Sequence, residues 1–208
     1  PNSNTSMSGT YAVTGTLNSC VSVSKIFDIK VNPLPTLVVP QNQNYCKGAT
    51  VPKSIFNSTP PGATISWTNS NPTIGLAASG SGNVPAFTAV NNSLAPITAT
   101  ITAIPSLNGC NGLPYTYTIT INPEPTVTVP LNLTICSGTQ ISASSFGANI
   151  TGVTYAWINS NTSIGLAASG NGNVPEFTAV NTTSSTIQAS ITVTPTLNGC
   201  AGPSASYI

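Results

Sequence analysis

The stretch Ile74–Asn91, IGLAASGSGNVPAFTAVN, returns ninety residues later as Ile164–Asn181, IGLAASGNGNVPEFTAVN, with two changes. The same offset carries Cys46 to Cys136, Trp67 to Trp157, Pro85 to Pro175 and Cys110 to Cys200, with no gap. Roughly half the positions of 36–118 are identical in 126–208. Self-similarity at one fixed period marks a tandem array and limits the fold to a small module that tolerates stacking. Run backwards, the frame sets Cys20 in LNSC against Cys110 in LNGC, and VNPLPT (31–36) against INPEPT (121–126). Three pieces follow: 1–35, the C-terminal part of one module; 36–125, a complete module; and 126–208, a further module lacking its last strand. The frame opens and closes inside a repeat, so the chain is expected to be a stretch of a longer polypeptide. The NPLPT and NPEPT joints read as short, extended and fairly stiff links.

Within a repeat the pattern is that of strands. Tyr115, Tyr117, Ile119 and Ile121 alternate with Thr and Asn, and Ile97, Ala99, Ile101 and Ala103 alternate with Thr. A period of two puts one face in a core and the other in water. The two runs flank LNGCNGLP, whose Asn-Gly step suits a hairpin turn. The first repeat piece copies the pattern with Tyr11 and Val13, then LNSC, then Phe27, Ile29 and Val31. Shorter β-rich runs lie at 36–39, 51–56 and 64–68; Pro40 and Pro130 mark the first strand as an edge, because proline cannot donate to a ladder. Roughly seven short strands in about ninety residues predict an all-β chain of tandem immunoglobulin-like β-sandwich modules.

The cysteines and tryptophans fit such modules. Cys46 to Cys110 and Cys136 to Cys200 have equal spacing, and the repeat favours those two intramodule disulfides, with Cys20 paired outside the chain. Each closed loop would contribute about 4 kcal/mol in the chain-entropy model. The alternatives are buried thiols or zinc, which the absence of histidine disfavours. Trp67 and Trp157 end short apolar strands and are expected in the core; the competing role is an exposed platform for sugars.

Composition removes several function classes. There are four basic residues, three acidic ones and no histidine, for a net charge of +1. A phosphate backbone finds no basic face, and no amphipathic helix suits a membrane surface. The acids, Asp28, Glu124 and Glu176, occupy unrelated places in the repeat and form no catalytic pair. Nor do they gather as calcium ligands. The expectation is no enzyme, no cofactor, no metal site, no nucleic acid and no direct membrane contact.

The cysteine in YCKG or ICSG, the tryptophan before NSNxxIGLAASGxGNVPxFTAVN, then LNGC and INPxPT together resemble the PKD-like repeats of Bacteroidota surface proteins. These are very long adhesins linked to gliding motility and type IX secretion. The resemblance covers the chain and implies extracellular β-sandwich beads at the cell surface, acting as a spacer, a stalk or a filament building block. Candidate partners are neighbouring modules, lateral copies in a fibre and surface polysaccharide. The other readings are a carbohydrate-binding array of a secreted enzyme and an S-layer or sheath protein. The copied segment itself allows two roles. Gly75, Gly80, Gly82 and Asn83, with Gly165, Gly170, Gly172 and Asn173, either fold an awkward loop over the sandwich or form a repeated lateral-contact or ligand loop.

Overall fold

A computed structural model describes residues 5–208. Among the described residues the chain is all-β apart from two single 3-10 turns, Pro72–Ile74 and Thr162–Ile164, and is built from tandem immunoglobulin-like sandwiches. Two compact units organise it. One comprises residues up to Gln43, Thr50–Phe87 and Ala99–Ile119; the other comprises Asn44–Ala49, Thr88–Thr98 and Thr120–Ile208. The second unit thus takes in two short stretches, Asn44–Ala49 and Thr88–Thr98, that lie between segments of the first, before its main run from Thr120.

In the first unit, Thr64–Asn69 lies between Ser79–Ser81 and the long strand Ile97–Leu107, antiparallel to both. The strand Thr36–Val38 pairs with Asn57–Thr59 and stops short of Pro40, whose missing N–H ends the ladder there. Alternation is strict where the sequence alternates. Ala99, Ile101 and Ala103 are fully buried, as is Ile119 on Tyr115–Asn122, whose last residues, with the buried Ile121, belong to the second unit. Phe56 meets Tyr117 edge-on at 6.3 Å.

The second unit repeats the plan. Thr154–Asn159 lies between Ser169–Asn171 and Ile191–Leu197, which in turn pairs with Cys200–Ala201 and Ala205–Tyr207. Trp157, Leu166, Val174, Ile191 and Val193 form its core, with Phe146 edge-on to Tyr155 at 5.4 Å. On the outer face hydroxyls replace charges. Thr192 meets Ser206 at 2.9 Å, Thr194 meets Ser204 at 2.7 Å, and Thr98 meets Thr120 at 2.9 Å. Such cross-strand pairs each contribute a few tenths of a kcal/mol, up to about 1 kcal/mol.

The hairpin turn appears three times with one geometry. Asn18-Ser19, Asn108-Gly109 and Asn198-Gly199 all have positive φ at both positions, as a two-residue hairpin loop requires. Ser19 holds φ 68°, a conformation that costs a non-glycine residue energy. Beyond each turn the register steps by one residue. Leu197 faces Cys200, but Val193 faces Ala205; likewise Leu17 faces Cys20, but Val13 faces Lys25. The extra residue is a bulge, closed by Gly202 N–H donating to Pro195 O at 2.9 Å and Ser22 N–H donating to Gly15 O at 2.8 Å.

This construction owes little to ionisation. Lys47 Nζ lies 3.5 Å from Glu124 Oε2, both substantially exposed, a pair of the kind that contributes little. With three carboxylates and no histidine, few groups can bind protons differently in the folded and unfolded states. The melting temperature should therefore stay within a few degrees between about pH 5 and pH 8. A thermal-shift series across that range checks it; a fall of many degrees at pH 5 would contradict it.

Candidate functional site

The copied segment builds the same loop twice. Asn71 and Asn161 cap the 3-10 turns, and Gly75 and Gly165 end them at φ 98° and 93°. Beneath, Asn69 is 6% exposed and donates to Leu76 O at 3.0 Å and Ala77 O at 3.3 Å, while its Oδ1 accepts from Asn71 N–H at 3.0 Å. Asn159 repeats all three bonds at the same distances. Replacing Asn159 by Asp keeps the shape but removes the two donors and turns a carboxyl group toward two carbonyls. The loss should be about 2–3 kcal/mol, read from the denaturant midpoint.

The remaining named residues of the loop also have internal tasks. Gly80 and Gly170 face Trp67 and Trp157 across a strand pair, and each indole ring lies directly over its glycine. Gly82 and Gly172 have φ near 70°. Asn83 Oδ1 accepts from Phe56 N–H at 2.9 Å, and Asn173 Oδ1 accepts from Phe146 N–H at 3.4 Å. Both tryptophans are buried. Neither indole N–H has a hydrogen-bond partner among the described residues, so packing holds the rings. Among the described residues no three His, Cys, Asp or Glu side chains gather where they could hold a metal.

The cysteines require a correction. Cys46 is bonded to Cys200, 154 residues away, with Cα atoms 5.5 Å apart; Cys110, Cys136 and Cys20 are free. The expected Cys46–Cys110 and Cys136–Cys200 disulfides are therefore not formed. The neighbours of each cysteine explain why. Cys46 ends the strand Gln43–Cys46, and Lys47 N–H donates to Asn122 O at 3.0 Å, at the C-terminal end of its repeat. Cys200 follows the hairpin turn of the next repeat, which folds onto the joint before it. Asn198 Nδ2 reaches Asn122 Oδ1 at 3.4 Å, and a Cβ on Gly202 would run into Pro125 O. Cys46 and Cys200 thus both lie beside the segment that begins at Asn122. The disulfide, both halves in the second compact unit, closes beside the Pro-containing segment 122–126.

The hairpin side of this contact recurs against residues 32–35. There Asn32 Nδ2 reaches Asn108 O at 3.4 Å, and a Cβ on Gly112 would run into Pro35 O. Because both obstacles are backbone, Gly202→Ala should displace the hairpin from the joint and cost about 2 kcal/mol. Hydrogen exchange of 196–202 reads the loosening. Sequence reasoning missed this contact, although the glycine two residues after the cysteine in NGCNG (108–112) and NGCAG (198–202) was its trace.

Residues 43–125 match the PKD-like domain family. No curated protein matches the chain. Among solved structures, the chain is similar to DIP-gamma IG1+IG2, at 10% identity and TM-score 0.43, over 84% of this chain and 96% of that one. It is also similar to human protocadherin-24 EC1-2, at 12% identity and TM-score 0.37, over 85% and 97%. A third is the N-terminal Ig1-2 module of the Drosophila receptor protein tyrosine phosphatase DLAR, at 14% identity and TM-score 0.30, over 84% and 96%.

Proposed function

We propose that this chain is an extracellular spacer: a run of β-sandwich repeats that holds distance at a cell surface, as a stalk or as a building block of a surface filament. The observation that carries the reading is the Cys46–Cys200 disulfide, which locks one repeat to the next across a Pro-containing joint. Disulfides persist in oxidising, extracellular settings. A neutral surface dressed with hydroxyls suits a repeated, inert bead. The repeat boundaries at 36, 126 and the NPxPT joints belong to this proposal, as does a place among Bacteroidota adhesins tied to gliding motility and type IX secretion.

The carbohydrate-binding alternative needs exposed aromatic rings. Trp67, Trp157 and Tyr117 are buried, and among the described residues the exposed rings are one stacked pair, Tyr11 and Phe27, not a row repeated along the chain. Among the described residues no helix is long and apolar enough to cross a membrane. Protease shaving of intact cells, with an antibody to the repeat, tests the placement. Release of repeat fragments without lysis is expected; protection of the repeat until the cells are broken would contradict it. A glycan array on the folded chain should stay blank, and saturable binding to a sugar would favour the alternative.

A further inference from the structure

We propose that Cys110 and Cys136 are the two halves of the same inter-repeat staple that Cys46 and Cys200 complete, each closed by a further repeat of this kind. An array of these repeats is then joined by overlapping disulfides, the first cysteine of each repeat bonded to the second cysteine of the next. The inference deepens the spacer reading and rests on it, because the bonds need an oxidising setting.

Cys110 and Cys200 are equivalent in the ninety-residue frame, and they stand on the same platform. Each follows an Asn-Gly turn with positive φ at both residues. Each lies two residues before a glycine pressed on a joint carbonyl, Gly112 on Pro35 O and Gly202 on Pro125 O. Each of those glycines closes the same bulge, by donating to Pro105 O at 2.8 Å or Pro195 O at 2.9 Å.

Cys136 and Cys46 match as well. Gly138 N–H donates to Ala179 O at 2.8 Å, and Gly48 N–H to Ala89 O at 2.8 Å. Thr139 N–H reaches Cys136 O at 3.3 Å, and Ala49 N–H reaches Cys46 O at 3.1 Å. The turns after the two cysteines fold alike, one bonded and one free, although Cys46 ends the strand Gln43–Cys46 and no strand carries Cys136. Cys136 is exposed, open to such a partner.

Each bond forms from two thiols, which lose two protons and two electrons. A disulfide-bearing oxidant takes the electrons and is reduced to its dithiol by thiol–disulfide exchange.

The pattern has a mechanical consequence. The shortest covalent route through the array enters at Cys110, follows the chain only as far as Cys136 and leaves through the next staple. Two full repeats are then spanned by that one short segment, which reaches about 90 Å at full stretch. Unfolding the sandwiches would release little length, so tension along the array does little to unfold them.

The test extends the chain by its own repeat. A copy of residues 119–208 placed after Ile208 sets the copied Cys200 154 residues beyond Cys136, the separation of the existing bond. The chain is oxidised, free thiols are alkylated before digestion, and unreduced peptides are mapped. The expected result is a peptide pair joining Cys136 to the copied Cys200, alongside Cys46–Cys200. Alkylated Cys136 with Cys46–Cys200 intact, or Cys136 bonded to any other cysteine, overturns the proposal. Cell-surface shaving is read separately, so a misplaced spacer and an absent staple give different failures.

Discussion

Replacing Cys46 by Ser should destabilise the second compact unit by about 5 kcal/mol, the chain-entropy figure for closing a loop of 154 residues. At roughly 2–4 °C per kcal/mol for a chain of this size, the melting temperature should fall by about 10–20 °C. Cys200→Ser should give the same fall, and so should reductant added to the unaltered chain. Cys110→Ser and Cys136→Ser should each move it by no more than about 1–2 °C, because neither thiol is bonded. Calorimetry of the four variants reads all of this at once. A fall for Cys110→Ser as large as that for Cys46→Ser would restore the intramodule pairing and remove the staple.

The second large effect belongs to the glycine under the tryptophan. Gly170 lies across the strand pair from Trp157, and an added Cβ would overlap the six-membered part of the ring, reaching 2.6 Å from Cε2. The ring cannot retreat, because Leu166, Val174 and Val193 pack around it in a core with no slack. Gly170→Val should therefore cost about 3 kcal/mol or more, at the upper end for overpacking. Near-UV circular dichroism would lose its tryptophan signal at lower denaturant. Gly172→Val tests the other cause of glycine retention. It meets open space, but at φ 72°, and strain alone should cost about 1–2 kcal/mol. Equal losses at the two sites would mean that the ring is not what selects Gly170.

These two positions also show how far the sequence could be read. The alternation in YTYTITIN and the Asn-Gly turns disclosed strands, hairpins and the buried face, because each is fixed by neighbours close in the chain. The glycine density of the copied segment disclosed an awkward backbone. It could not say that Gly75 and Gly82 are kept for a dihedral while Gly80 is kept for a ring. Nothing about a glycine names its neighbour across a strand pair.

The cysteines mark a firmer boundary. A ninety-residue frame that sets Cys46 against Cys110 sets it equally well against Cys200, because adding one period changes no register. Only the three-dimensional course of the chain separates the two. The ends of the repeat decide it: Cys46 beside Asn122, and Cys200 on a hairpin folded over the same joint.

Pulling the intact chain from its two termini in a single-molecule force experiment tests that joint most directly. With Cys46 bonded to Cys200, only the residues outside the loop can extend, about 190 Å of contour at about 3.5 Å per residue. Reductant should lengthen this to about 700 Å. Two intramodule disulfides would instead release about 280 Å before reduction. The staple between repeats predicts the shortest of these three contours until reductant is added. Either longer contour, reached without reductant, would contradict it.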